Sequence, residues 1–249
     1  MTDINVELVD SMGDDLRVAN VARVSFNKWK EEFDKGDARL IDYLAAHEHS
    51  SPFRHTAVSV RCKAPIFLSR QLGKHQAGLS WNEVSRRYVD AGIELFVPDS
   101  WRSRPADGIK QGSGKTLGDT EIYETAGWVK DKHDNPVANG TYIKFMDEGE
   151  CQAHMGNVLK WHHFNSMCVY EDMLKSGVAP EQARMVLPQS MMVDWVWTGN
   201  LLSFFHVYRL RAGEGAQVEA RDFAEKLKAV IQPIFPHSWG ALEENAKAH

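Results

Sequence analysis

Between residues 155 and 175, Leu159, His162, His163, Ser166, Met167, Tyr170 and Leu174 recur every three or four positions, the spacing of one face of a helix. Gly177 is a good terminator for that helix, and Pro180 opens a further short one. Residues 38–47 also read as a helix, and residues 65–72 (PIFLSRQL) as another with proline in its first turn. Two stretches carry the period of two instead. Residues 57–62 (AVSVRC) alternate small apolar and polar side chains as a half-buried strand does, and residues 191–198 (MMVDWVWT) alternate likewise. Asn200 reads as a helix cap, followed by helices over 201–211 and 216–231 that Gly213 and Gly215 separate. Residues 101–140, rich in Gly, Asp, Lys and Thr, read as a surface excursion rather than a domain boundary. The chain is therefore mixed α+β, without the repeating strand and helix units of a parallel sheet.

One stretch resists this reading. In residues 73–88, GKHQAGLSWNEVSRRY, the apolar Leu79, Trp81, Val84 and Tyr88 fit neither a clean helix nor a clean strand, while cations, a carboxylate and two serines crowd around them. Composition narrows what such a segment can serve. The chain has 249 residues, 43% of them apolar and 25% charged, which is ordinary globular composition. Its net charge of -5 argues against a general nucleic-acid binder, so local basic clusters are aimed at small anions. The start, MTDINVELVDSMGDDLRV, lacks a basic segment followed by an apolar core, and no apolar run reaches the length of a membrane helix. A cytoplasmic protein without membrane contact is expected.

Other chemistries are disfavoured by spacing. Residues 108–116, GIKQGSGKT, end like a phosphate-binding loop, but the motif needs glycine at position 109, which is Ile109. His47, Glu48 and His49, with His162 and His163, lack the spacing of a metal site, so no metal is expected. Cys62, Cys151 and Cys168 form no C-x-x-C pair and have no evident paired base, which leaves them as packing residues. What remains is a dispersed set of arginines with hydrogen-bonding neighbours. Arg184 in QARMVLP and Arg211 in FFHVYRLRAG lie in strongly apolar stretches where an unpaired guanidinium is costly, so each is expected to have a carboxylate, phosphate or carbonyl partner.

The segment RQLGKHQAGLSWNEVSRRY resembles the signature of the flavin-dependent thymidylate synthases, R-Q-x-x-R-H-R followed by S-x-N-E-x-S-x-R-Y. NVARVSF (20–26), HEHSSPFRH (47–55), APIFLSRQ (64–71), ARMVLP (183–188) and WTGNLLSFFHVYRLRAGEGAQVE (197–219) resemble the family's other blocks in the family's order, leaving about 95–150 without a match. The resemblance implies one catalytic domain over 1–249, with a mixed sheet flanked by long helices. It implies reductive methylation of deoxyuridylate (dUMP) to deoxythymidylate, with methylenetetrahydrofolate as carbon donor and FAD, reduced by NADPH or NADH, as hydride carrier. It also implies a homotetramer with sites drawn from several subunits, and it needs no cysteine nucleophile.

Carried over by position, the resemblance puts Arg70, Gln71, Lys74, Glu83, Ser85, Arg86, Arg87, Arg184 and Arg211 around dUMP, with Arg211 as the catalytic cation beside the uracil. FAD falls to Ser51, Lys74, His75, Gln76, Glu83, Asn200, Leu202 and His206. Lys74 and Gln76 stand where the family usually has arginines, one extra residue separates His75 from Ser80, and Leu202 occupies a position often arginine. Arg54, where the family commonly has an acidic residue, is expected to restore positive charge. The alternative reading is a non-catalytic flavin- or nucleotide-binding protein of the same fold.

Overall fold

The computed structural model describes residues 3–106, 112–117, 129–130, 136–137 and 155–248. In chain order its helices are α1 (Asp15–Arg23), α2 (Lys35–Ala46), α3 (Ile66–Leu72), α4 (Met155–Lys175), α5 (Pro180–Ala183), α6 (Leu201–Arg211), α7 (Val218–Ile231) and α8 (Pro236–Ala248). The described residues divide into two compact units, one formed by Asp3–Val84 with Met192–His249 and the other containing Ser85–Met191.

The first unit is built on a four-stranded sheet of β1 (Asn5–Met12), β2 (Ala57–Pro65), β3 (Leu79–Glu83) and β4 (Met192–Gly199), in the order β1-β2-β4-β3. All three pairings are antiparallel. The α+β class holds, and the sheet expected as mixed contains no parallel pair: neighbours β2 and β4 run in opposite directions although more than 120 residues separate them. Alternation sorts the two faces. Val58, Val60, Cys62 and Ala64 are buried and pair with Gly199, Trp197, Trp195 and Val193. The other face is polar, with the Ser59 and Thr198 hydroxyls 2.8 Å apart. Trp81 of β3 stacks on Trp195 with ring centroids 4.2 Å apart and meets Trp197 edge-on, and Phe223 of α7 continues the stack beyond Trp195. These aromatic rings close the core with the burial and stacking geometry that stabilise such clusters.

Polar anchors fix the helices over this core. Asp34 and Asp37 form a reciprocal capping box at the start of α2. Asp37 has no exposed side-chain surface and is paired with Arg23 and with Lys30. The Asn200 side chain accepts Ser203 N–H at 2.9 Å, the cap expected from the sequence, and Leu201 N–H donates to the buried Thr56 hydroxyl at 3.0 Å. With Leu201, Leu202, Phe204, Phe205 and Val207 all buried, the first turns of α6 are packed on several sides. Only the last turn carries cations, Arg209 and Arg211, where the carbonyl end of the helix favours them.

In the second unit, α4 has the bounds its periodicity predicts, and Gly177 at φ +83° ends it. Tyr170 is buried and its hydroxyl donates to the Asp90 carbonyl at 3.4 Å, while His163 Nε2 lies 2.6 Å from Ser190 Oγ. The described part of the glycine loop is extended: Ser103 N–H donates to Lys115 O and Gly114 N–H to Ser103 O, each at 2.9 Å. Lys115 and Thr116 thus pair with a neighbouring extended segment instead of opening a helix, as a phosphate loop would. Residues 108–111 of that motif, and Cys151, lie outside the described residues.

Candidate active site

Among the expected site residues of the first unit, Arg70, Gln71 and Lys74 to Gln76 lie at or just after the C-terminal end of α3 and Asn200, Leu202, His206 and Arg211 on α6 or its cap, whereas Ser51 and Glu83 lie elsewhere. After Leu72, Gly73 N–H donates to Ser69 O at 2.8 Å and His75 N–H to Leu72 O at 2.9 Å, so the 73–76 turn is tied to the end of α3. Gly78 then adopts φ +72°. A Cβ there would collide with Ser203 Oγ and press on Asn200 Nδ2 at 2.8 Å, so the turn passes directly against the cap of α6 and needs glycine in that conformation. The otherwise unreadable 73–88 stretch is thereby explained as a helix end, a tight turn, and a five-residue edge strand that starts at Leu79.

Folding brings Arg211 to that turn. Its Nε–H donates to His75 Nε2 at 3.0 Å, and an Nη2–H donates to the Gln71 carbonyl at 3.3 Å. Burial lowers the Arg211 pKa. The His75 pKa is lowered by burial first, then by the charge of Arg211 and by His206. Gln71 Oε1 is buried with no hydrogen-bond donor among the described residues. Arg70, Lys74 and Gln76 point outward and are exposed. Glu83 ends β3, its carboxyl raised by partial burial and pulled back by a hydrogen bond with Trp81.

On another side of α6 lies a cleft of about 330 Å³. Leu44, Phe53, Leu202 and Phe205 form its apolar wall, with Arg54, Arg209, His49 and His206 among its polar lining. Leu202 and His206 are thus together, and Ser51 adjoins Ser50 of the same lining; His75, Gln76 and Asn200 are not part of it. Arg54 Nη2–H donates to Ser50 Oγ at 2.9 Å, which sets the guanidinium at the cleft. The His206 pKa is lowered by burial, then by Arg209 and Arg54, so three basic groups share this surface. Arg209, His49 and Glu48, the last with a left-handed backbone at φ +55°, are cleft residues that spacing did not reveal.

The remaining expected residues belong to the second unit. Ser85 Oγ accepts from Arg87 Nε–H at 3.2 Å and from the Arg87 backbone N–H at 3.3 Å, a hydroxyl and guanidinium already paired. Arg86 is committed to its own loop, donating to Ala91 O at 2.7 Å and to Val89 O and Gly92 O at 3.4 Å. Arg184 has a carbonyl partner of the kind expected, its Nε–H donating to Glu181 O at 3.3 Å; it stands exposed in a short 3-10 turn beside Met185, itself 73% exposed.

Residues 7–237 match the family described as thymidylate synthase complementing protein. The chain belongs to this family. It is 32% identical over 240 residues to the flavin-dependent thymidylate synthase of Thermus thermophilus, covering 96% of this chain and 76% of the relative. It is 33% identical over 237 residues to the enzyme of the same description from Thermosipho africanus, covering 95% and 90%. Among solved structures, the UMP/dUMP methylase PolB from Streptomyces cacaoi bound with 5-Br dUMP superimposes with a TM-score of 0.74 at 28% identity, over 98% of this chain and 96% of that one. The same methylase bound with 5-Br UMP gives 0.74 at 27%, over 99% and 96%. The resemblance read from the sequence is therefore borne out. In this chain Leu202, Arg54 and Arg209 are all among the residues that line the cleft. Among the described residues no helix is long and apolar enough to cross a membrane.

Proposed function

We propose that the protein methylates dUMP at C5 to give deoxythymidylate, using FAD, with methylenetetrahydrofolate as carbon donor and NADPH or NADH as reductant. What carries this reading is family membership over residues 7–237, with relatives described as flavin-dependent thymidylate synthases. The Streptomyces cacaoi structure with a bound dUMP analogue supports the same substrate class.

The residues present suit the cofactor. An apolar-walled cleft with cations at its polar positions, about 330 Å³ in volume, is large enough for part of a dinucleotide. FAD is assigned to Ser51, Leu202, His206 and Asn200 with the 74–76 turn and Glu83, and to Arg54 and Arg209 in place of the missing arginines. When bound and reduced by the nicotinamide, FAD would supply the hydride that takes the transferred carbon from the methylene to the methyl level. The folate then leaves as tetrahydrofolate, the nicotinamide is oxidised, and the C5 proton of uracil is lost. Arg211 is assigned to the uracil, where a cation stabilises negative charge developing on the ring during attack by C5. Gln71 and Arg70 are placed beside it, and the phosphate is assigned to the Ser85 hydroxyl and the Arg87 guanidinium, whose charge-assisted hydrogen bonds suit a dianion. The buried Cys62 takes no part: burial pushes its thiol up, away from a reactive thiolate. We assign the assembly as a homotetramer.

A second reading extends the substrate to the ribonucleotide UMP, favoured by the equal structural likeness to the 5-Br UMP complex. Purified protein should show a flavin spectrum and convert dUMP to deoxythymidylate only when methylenetetrahydrofolate and a reduced nicotinamide are both present. Running the assay in parallel with UMP separates the two substrates. A yellow protein that methylates neither nucleotide would instead support the non-catalytic alternative.

A further inference from the structure

We infer that His75 is a positioning residue for Arg211: its ring holds the inner edge of the guanidinium so that the outer edge is presented to the pyrimidine. This rests on the reading that Arg211 faces the uracil. A guanidinium carries five N–H groups in one plane. Two are committed here, Nε–H to His75 Nε2 at 3.0 Å and one Nη2–H to the Gln71 carbonyl at 3.3 Å. The three left are both hydrogens of Nη1 and one of Nη2, a fork suited to adjacent acceptors on a flat ring.

The clamp is itself anchored. His75 N–H is bonded to Leu72 O and Gly73 N–H to Ser69 O, so both partners of Arg211 ride on the end of α3 rather than on a free loop. A long side chain held at two points loses less conformational freedom on meeting a ligand than one free in solvent. Acceptance at Nε2 requires a neutral imidazole with its proton on Nδ1. The surroundings favour that state: burial, Arg211 and His206 all disfavour protonation of His75. The charged and titratable groups that act on the ring are Arg211 and His206 from α6, with Lys74 its sequence neighbour on the same turn. Protonation, as pH falls below the ordinary histidine range, removes the acceptor and sets two cations side by side.

The test measures dUMP affinity by calorimetry in FAD-saturated protein across pH 5 to 8 for the wild type, His75→Gln, His75→Ala and Arg211→Ala, with folding checked by circular dichroism and FAD occupancy by visible absorbance. Once saturated with FAD, whatever concentration that requires, His75→Ala should bind dUMP about tenfold more weakly than the wild type. His75→Gln, whose amide oxygen can accept the same N–H, should recover most of the loss and serves where the alanine variant fails to fold. Toward the acid end, below the ordinary histidine range, wild-type affinity should fall more steeply than that of His75→Gln, the phosphate titration being common to both. Identical pH profiles for these two proteins, or a His75→Ala variant that loses FAD affinity yet binds dUMP normally once saturated, would overturn the proposal. Loss of dUMP affinity in Arg211→Ala with none in His75→Ala also overturns it, alone. Undiminished dUMP binding by Arg211→Ala overturns the underlying reading and the proposal together.

Discussion

Arg209 and Arg211 stand two residues apart on α6 and serve different surroundings: Arg209 lines the cleft with Arg54 and His206, whereas Arg211 donates to His75 Nε2 at 3.0 Å. Two residues along an α-helix rotate a side chain by about 200°, so the two cations cannot share one ligand group. Arg211→Ala should cost about 1.5 to 3 kcal/mol of dUMP binding, the range for a charged hydrogen bond. Arg209→Ala should leave dUMP affinity near that of the wild type and weaken FAD instead. Lysine at 211 should restore only part of the binding, because a point charge lacks the planar fork. Titrations of both ligands against the three variants check this, and equal dUMP losses at 209 and 211 would contradict the division of labour.

Gly78 tests how closely the turn after α3 must approach α6. Its φ is +72°, and a Cβ would run into Ser203 Oγ and Asn200 Nδ2, beside the Asn200 Oδ1 that accepts from Ser203 and caps α6. Gly92 has a similar φ of +65° but nothing within 4 Å of a Cβ. Gly92→Ala should therefore lose only the left-handed backbone penalty, about 1 to 2 kcal/mol. Gly78→Ala should lose that and the cap as well, roughly a further 1 kcal/mol, and weaken FAD. Urea midpoints of the two variants decide it: equal losses would mean the contact with α6 is not limiting.

The elements legible in the sequence are those whose pattern is long or sharply punctuated. Helix α4 and helix α6 have the expected bounds because Gly177 and Asn200 mark an end and a start. Strands β2 and β4 alternate cleanly because one face is buried against tryptophans and the other is polar. Strand β1 left no readable signal, since an edge strand with a bulge between Leu8 and Asp10 buries only Val6 of its eight residues. Helix α1 turns the polar Asp15 and Asn20 inward, against the usual rule, since both have backbone partners there. The site was legible as a set of residue types through family resemblance, but not as contacts. The bond between Arg211 and His75 spans 136 positions, and the grouping of Arg54 with Arg209 depends on how α6 packs beside the 3-10 turn at Pro52–Arg54. No local period encodes either.

The cap of α2 carries a pH dependence of defined sign. Lys30 Nζ lies 2.6 Å from Asp34 Oδ2, and the carboxyl is held well below the usual aspartate range by Lys30, then by the Asp37 and Gly36 N–H groups. A group with a depressed folded pKa contributes its full stability above the unfolded value and loses it as pH falls toward the folded one. Asp34→Asn keeps a capping oxygen and removes the charge. The variant should be less stable than the wild type at neutral pH, and the gap should close as pH drops below about 4. Urea midpoints at pH 7, at pH 5 and at about pH 3 measure it. A gap that persists undiminished at the lowest pH would show that the charge of Asp34 is not its source.

Asp15 links the first helix of the chain to the last. The residue is 6% exposed, and its two carboxylate oxygens accept the N–H groups of His237 and Ser238, each at 2.8 Å, in the first turn of α8. Those N–H groups have no partner within their own helix, and a carboxylate also complements the positive end of the helix. Asp15→Ala should therefore cost about 2 to 3 kcal/mol, and Asp15→Asn, with one acceptor oxygen left, about half of that. The consequence reaches the cleft, because Leu242, Asn245 and Ala246 of α8 form part of its lining. If α8 is loosened, that wall is no longer held in place, and FAD affinity should fall in step with stability across the two variants, while Asp34→Asn at neutral pH, which leaves α8 capped, should lose stability with little change in FAD. Denaturant titration and FAD binding on the same preparations check the correlation; normal FAD affinity in a destabilised Asp15→Ala protein would separate the wall of the cleft from the cap that we assign to hold it.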